Sequence, residues 1–302
     1  MHTDCVKCLI LQANKLLLKH KIDDDTAKDI TGRFRLFIDN HKDSGLSAPE
    51  TACLLHRLVK NVVRINDLYK KEKDDYNNLM LSLEEVIRDI INKSENPFQT
   101  ALRYALAGNI IDFGPPKPFD VFKALSEAAS KEPAIDHSKL LYKELKKAST
   151  VLYLGDNAGE IVLDKLFIET IAHPDLYFAV RGSSIINDVT MEDAVNVDIT
   201  KIAKVISNGY DAPSTLLHRC SPEFRKIFDG ADIIISKGQG NLEGLINSRD
   251  KKIFFLLMVK CNVIGEMIGI NEKNTVAFLN QKIMPLKSNN TLDFKKYAVM
   301  IN

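Results

Sequence analysis

Two stretches of this chain set oxygen donors where a hard cation could use them. The apolar run Val151–Leu154 ends in Gly155-Asp156-Asn157-Ala158-Gly159, and the run Leu176–Val180 leads into a loop that carries Asn187 and Asp188. Asp156 and Asn157 offer a carboxylate and an amide side by side, donors that magnesium and manganese prefer, whereas a plain turn needs only one such residue as a helix cap. Asp188 supplies a second carboxylate, and Asn187 beside it could orient a ligand or a water. So small a protein ligand set suits a cation that keeps waters and shares oxygens with its substrate.

A third stretch, Ser236-Lys237-Gly238-Gln239-Gly240-Asn241, puts a cation next to bare backbone. That pairing suits a phosphoryl group, with Lys237 as a point charge and the N–H groups at Gly238 and Gly240 free to approach an anion. Arg181, directly after Val180, is placed for a similar part, and Lys260 and Asn262 have a weaker claim. Asp211 and Ser214 read as caps of a helix beginning near Pro213. Glu160 reads as a first-turn acid favoured by the helix dipole, or as a group reaching the surroundings of the metal.

These residues need a frame that gathers their loops. From Val151 onward the runs VLYL, LYFAV, KVI, DIIIS and KIFFLLMV, and more weakly VAFL and YAVM, alternate with helical patterns. Runs apolar on both faces predict an α/β fold of three layers, a mostly parallel sheet covered by helices. Ligands gather beyond the carboxyl ends of such strands, where each polar stretch falls. Earlier in the chain, Pro49 to Lys93 and Pro97 to Ala107 repeat apolar residues at helical spacing. After Pro115, Pro116 and Pro118, which forbid a continuing helix, DVFKALSEAASKE and HSKLLYKELKKA predict two more. The texture changes near residue 148, dividing the chain into a mainly helical portion, 1–147, and an α/β domain, 148–302, that carries the metal site.

Bulk properties narrow the function classes. The 302 residues are 45% apolar and balance 41 Lys and Arg against 40 Asp and Glu, which gives no charge reason to expect nucleic acid or an anionic membrane. Small ligands fit better, and neither a signal sequence nor a spanning run is visible, so the expected compartment is the cytoplasm. Oligomeric state is left open. Five cysteines argue against a disulfide framework, and only Cys5-x-x-Cys8 has the spacing of a structural or redox pair. There is no G-x-x-x-x-G-K-[ST] loop, G-x-G-x-x-G turn, G-x-S-x-G elbow or H-E-x-x-H helix, and none of the seven His falls in the strand-end loops. Metal-assisted chemistry therefore stands ahead of nicotinamide chemistry or a Ser–His hydrolase.

Four ordered motifs, AGNIIDFG, GDNAGEIVLDKL, RGSSIINDVTMEDA and ADIIISKGQGNLEGL, resemble the metal-dependent damage-control phosphatases, once known only as domain of unknown function 89. Cys5 and Cys8 resemble the mark of the archaeal and bacterial subfamily, and the likeness extends from Cys5 to about Glu266. It implies a helical N-terminal portion on an α/β sheet and a manganese, nickel, cobalt or magnesium ion on Asp156, Asn157 and Asp188. It also implies Asn109 in the pocket with Asp112 nearby, and a phosphate held by Lys237 with Gly238, Gln239, Gly240 and Asn241 around it. The catalytic set would be Asp156, Lys237 and Asn109, with Arg181 and Asn187 on the substrate. The implied reaction is hydrolysis of a phosphate monoester of a small metabolite, a sugar phosphate or a damaged phosphorylated cofactor or nucleotide. The attacking group is water or Asp156 itself, and the residues leave both open. Two alternatives belong to other classes: an S-adenosylmethionine-dependent carboxyl methyltransferase, and a non-catalytic sensor of metal or phosphometabolite.

Overall fold

The computed structural model describes residues 1–41, 46–110 and 118–282. Asp112 and the strand expected at 297–300 lie outside them. Three helices open the chain: α1 (Thr3–Lys19), α2 (Asp24–His41) and α3 (Ala48–Val63). They bury Leu9, Leu16, Phe34, Leu55 and Val59 in a core of their own. α3 starts sharply because Ser47 and Glu50 close a reciprocal capping box, with Pro49 in the first turn.

α4 (Lys70–Lys93) and α5 (Pro97–Ala107) follow, then a tight turn over Gly108–Ile110, α6 (Pro118–Ala129), β1 (Ile135–Asp136) and α7 (Ser138–Leu145). The alternating part comprises β2 (Val151–Leu154), α8 (Glu160–Ile171), β3 (Leu176–Val180), α9 (Met191–Asn196), β4 (Lys204–Ser207), α10 (Pro222–Gly230), β5 (Ile233–Lys237), α11 (Gly238–Leu245), β6 (Ile253–Met258), α12 (Asn262–Ile268) and β7 (Thr275–Leu279). Among the described residues these strands form one seven-stranded sheet in the order β1-β7-β6-β5-β2-β3-β4. β4, β3, β2, β5 and β6 run parallel, and β7 reverses against β6. The sheet reaches back across residue 148, because β1 pairs with β7 in parallel.

Period-two alternation sends each strand's side chains into two cores. Val151, Tyr153, Ile233 and Ile235 face α5 and α8, while Leu152, Leu154 and Ile234 face α10, α11 and α12. α8 lies between the sheet and α4 and α5, so every residue from Glu160 to Ile168 is buried. The chain runs from β2 outward to β3 and β4, then crosses to β5 on the other side of β2. Strand order therefore reverses between β2 and β5, where Leu154 pairs with Ser236, and a crevice opens beyond their carboxyl ends.

The helix expected near Pro213 does not form. Residues 208–220 are irregular, and α10 begins only at Pro222, capped by the Ser221 side chain on the Phe224 amide. Among the described residues no helix is long and apolar enough to cross a membrane.

Candidate functional site

Backbone hydrogen bonds assemble the metal candidates. Beyond β2 the loop pairs with the loop after β3: Val189 N donates to Asp156 O at 2.8 Å and Ala158 N to Asn187 O at 2.8 Å, which sets Asn157 opposite Asp188 as an antiparallel bridge. Asp156, Asn157 and Asp188 therefore converge at the crevice as the sequence predicts. Gly159, at φ +78°, ends the turn, and its amide donates to Asn77 Oδ1 of α4 at 2.7 Å. Gly238 closes the other side. Its φ is +78°, and a Cβ there would lie 1.9 Å from Asp156 Oδ2, so only glycine lets β5 turn into α11 against that carboxylate.

Both aspartates are buried, at 7% and 3% exposure, rather than facing solvent as their rim position suggests. Burial, then the carboxylates of Glu160 and Asp188, push Asp156 up to about 8 against the pull of Lys260 and Arg181. Burial also raises Asp188, against Arg181. Arg181 is buried among them. Its Nε donates to Asp188 Oδ1 at 2.6 Å and its Nη1 to Asn241 Oδ1 at 3.0 Å, while Nη2 lies 3.9 Å from Asp156 Oδ1 with no hydrogen-bond partner. One guanidinium nitrogen is thus left for a ligand.

Lys237 is placed differently from its expected role as a phosphate clamp. It continues the face of Ile233 and Ile235, so its side chain turns inward to α8 and is fully buried. There its ammonium donates to Glu160 Oε1, to Asp164 Oδ1 and, at 2.8 Å, to the carbonyl of Ala105. Three donors meet three acceptors, and none remains for a substrate. Burial alone would depress this lysine, but Asp164 and Glu160 raise it instead. Asp164, which also accepts from Tyr153 Oη at 2.7 Å, is pushed up to about 7 by burial against Lys237.

Asn109 donates through Nδ2 to Glu160 Oε1, and its own Oδ1 is buried without a partner. Asn187 contributes its backbone to the loop pairing. Gly240 packs on the Pro213 carbonyl, 2.1 Å from where a Cβ would stand, and does not open toward the crevice. Asn241 is buried and braces the Gly155 and Lys237 carbonyls at 3.2 and 2.8 Å. Gln239 accepts from the Lys260 amide at 2.9 Å. Asp211 holds Arg57 and Cys53 of α3 in place of capping a helix.

Three groups carry more than the sequence reading assigned them: Glu160, Asp164 and Lys260. The first two had a visible signal, since two acids one turn apart in an otherwise apolar helix need a buried counter-charge. Lys260 is exposed, yet its charge acts on both Asp156 and Asp188.

A divalent cation fits this chemistry. Four buried carboxylates, Asp156, Glu160, Asp164 and Asp188, face two buried cations, Arg181 and Lys237, and the raised Asp156 and Asp164 reflect the cost of ionising all four, buried as they are, against those two. Asn157 Nδ2 donates to Asp156 Oδ2 at 2.7 Å and to Glu160 Oε2 at 3.3 Å, which turns its oxygen away from both carboxylates. No group of three His, Cys, Asp or Glu among the described residues could hold a metal, so an all-oxygen site depends on that amide, and Cys5 and Cys8 complete no such group. Surface cavities of about 530 Å³ beside α4 and about 470 Å³ between α5 and α7 lie away from these groups.

Comparison with known proteins gives a consistent result. A family model described as the damage-control phosphatase ARMT1-like domain matches residues 1–276. A damage-control phosphatase of Pyrococcus horikoshii is 36% identical over 71% of this chain and 78% of its own length. One of Archaeoglobus fulgidus is 30% identical over 84% of this chain and 90% of its own, and an uncharacterised protein of Methanocaldococcus jannaschii is 33% identical over 90% and 93%. The crystal structure of a DUF89 family protein from P. horikoshii superposes with a TM-score of 0.87 at 28% identity, covering 93% of this chain and 99% of that one.

Proposed function

The chain belongs to the damage-control phosphatase ARMT1-like family and is a metal-dependent phosphatase of small phosphorylated metabolites, and we propose that Asp156, Asn157 and Asp188 are the residues that hold its cation. The observation that carries this assignment is their convergence at the strand-order reversal, where four buried carboxyl groups face two buried cations. An all-oxygen donor set suits manganese or magnesium, while bare affinity at such a site ranks cobalt and nickel above manganese, so the re-addition of each metal decides among them. When bound there, the cation polarises a phosphoryl oxygen and offsets the repulsion between carboxylates and phosphate.

The protein's own groups do the rest. Arg181 Nη2 and the Lys260 ammonium are the cations left for phosphoryl oxygens, and α11, which has no side-chain cap, turns the amides of Gly238 and Gln239 toward the same anion. Lys237 leaves the substrate-binding set and joins the groups behind it. Asn109 supports Glu160. Water is the attacking group in this reading, because one oxygen of Asp156 accepts from Asn157 and the other is left to the cation, so neither is free for in-line attack. The methyltransferase alternative loses ground, since Asp156 fills the glycine turn after β2 where a methyl donor's carboxylate would need neutral backbone. Substrates are sugar phosphates or damaged phosphometabolites, and five free cysteines agree with a reducing cytoplasm.

The test is phosphate release from a panel of sugar phosphates and p-nitrophenyl phosphate, after chelation and re-addition of each metal. Asp156→Ala should lose roughly 10³-fold or more in turnover, the scale of removing a principal electrostatic stabiliser, and should no longer bind Mn²⁺. An Asp156→Ala protein that binds the ion as the parent does would remove Asp156 from the ligand set.

A further inference from the structure

We infer that Glu160 is a positioning residue that holds the Asn157 amide with its oxygen turned to the cation. The inference rests on the metal assignment above. An amide is two-faced: turned one way it presents an oxygen to a cation, and turned the other way it presents two N–H groups that a cation repels. Something must hold the nitrogen side. Asn157 Nδ2 has two acceptors, Asp156 Oδ2 and Glu160 Oε2. Asp156 Oδ2 is the nearer acceptor, at 2.7 Å, but belongs to a carboxylate whose other oxygen is left to the cation. Glu160 Oε2, at 3.3 Å, has no place in the ligand set and so is the acceptor given to the orientation.

Glu160 is itself held on every side. Its Oε1 accepts from Asn109 Nδ2 and from Lys237 Nζ, and it is 1% exposed. Lys237 is fixed in turn by Asp164 and by the Ala105 carbonyl near the end of α5. An independent observation points to the same carboxylate. Gly108 lies against its stem, where a Cβ would stand 2.9 Å from Glu160 Cγ and 3.2 Å from Leu163 Cδ1. The turn after α5 therefore leaves room for Glu160 to rise toward Asn157.

Glu160→Gln, made in two backgrounds, separates orientation from charge, because only orientation requires an amide at position 157. A glutamine has one acceptor oxygen, which cannot serve Lys237 and Asn109 on one side and Asn157 on the other. If Glu160 orients the amide, Mn²⁺ affinity, read from the free-ion EPR signal during titration of the chelated protein, falls about tenfold. If it acted only by its charge, the loss would be the same whichever side chain stands at position 157, since a nearby carboxylate attracts the cation in either protein. The decisive comparison is the same substitution in an Asn157→Asp background, where both side-chain atoms are oxygens and no orientation is required. There Glu160→Gln should change Mn²⁺ affinity by less than about twofold, within the limit of independent sites.

Equal losses in both backgrounds, or tighter binding in the Asn157 protein, would overturn the inference. Should Glu160→Gln fail to fold, Gly108→Ala keeps every charge and pushes on the Glu160 stem. It should weaken Mn²⁺ binding in the Asn157 protein and not in the Asn157→Asp background, and an unchanged affinity in the Asn157 protein would overturn the inference. A parent protein that binds no Mn²⁺ would instead remove the metal assignment itself.

Discussion

Behind the crevice between β2 and β5, and in front of it, the molecule uses lysine in two different ways. Lys237 ends β5 and is sealed against α8 with every donor engaged, whereas Lys260 follows β6, is exposed, and acts on Asp156 and Asp188 from solvent. The difference teaches that a position just after a strand does not decide a role. The pleat does: Lys237 falls on the face of Ile233 and Ile235, which points into the layer of α5 and α8. The lysine behind the site neutralises carboxylates that organise it, and the one in front is free to meet an incoming anion.

The contrast is broken or upheld most directly by removing each lysine. Lys237→Ala leaves Glu160 and Asp164 buried without their cation, and removing one partner of a buried ion pair costs about 3–5 kcal/mol. Chemical denaturation should show a loss of that size, with Mn²⁺ affinity reduced in the protein that remains folded, because Glu160 loses the cation that fixes it. Lys260→Ala should unfold as the parent does and lower kcat/KM about tenfold, mostly through KM, as expected for a charge-assisted contact to phosphate. A Lys237→Ala protein of parental stability with only KM raised would reverse the two roles.

Gly238→Ala tests the join between the two sides. The added Cβ meets Asp156 Oδ2 and requires an alanine at φ +78°, a conformation that costs of order 1–3 kcal/mol before the clash is counted. The expected result is a folded, destabilised protein with little Mn²⁺ affinity, read by thermal melts and ion titration. Parental affinity would show that Asp156 can move without cost to the ligand set.

The raised carboxyls yield a pH signature with one source on each side, Asp156 in front at about 8 and Asp164 behind at about 7. A group whose folded pKa lies above its ordinary value stabilises the fold in its protonated form. That contribution is complete below about pH 4 and is lost as pH rises through the folded values. The chelated protein should therefore lose thermal stability between about pH 5 and about pH 9, and Mn²⁺ should restore more of it at the alkaline end, where Asp156 is ionised. Asp156→Asn should flatten the upper part of the decline and raise the melting temperature of the chelated protein near pH 8. A chelated parent whose stability climbs with pH would contradict the crowding of carboxylates described here.

The frame of this site was legible because its signals are local. Apolar runs bounded by glycine and aspartate mark β2, β3 and β5, and the polar loops after parallel strands must share a rim, so Asp156, Asn157 and Asp188 could be named from order alone. Two kinds of fact were not local. β1 is two residues long and exists only because β7 reverses beside it. Segment 208–220 carries cap-like residues, yet Asp211 answers to Arg57 of α3, more than 150 positions away, and no helix forms there. Lys237 belongs between these cases: strand alternation in the sequence puts it with Ile233 and Ile235, but only the position of α8 makes that face the inside.

The smallest effect concerns Cys5 and Cys8, which lie on the front side by their neighbours. The Cys5 thiol is half-buried and is pushed up to about 11 by burial, then by Glu243 and Cys261, the residue after Lys260, whereas Cys8 is exposed. A thiol held that high stays protonated at neutral pH and reacts slowly, because the thiolate is the nucleophile. Iodoacetamide should therefore modify Cys8 well before Cys5 in the folded protein, as peptide mass mapping would show. Cys5→Ser exchanges a protonated thiol for a hydroxyl of similar shape and removes no charge from the crevice, so turnover should stay within about twofold of the parent, the scale of a substitution outside the ligand and substrate contacts. A large loss of kcat without loss of stability would bring the pair into the chemistry, and the lysine in front would then no longer be the outermost group that acts on the substrate.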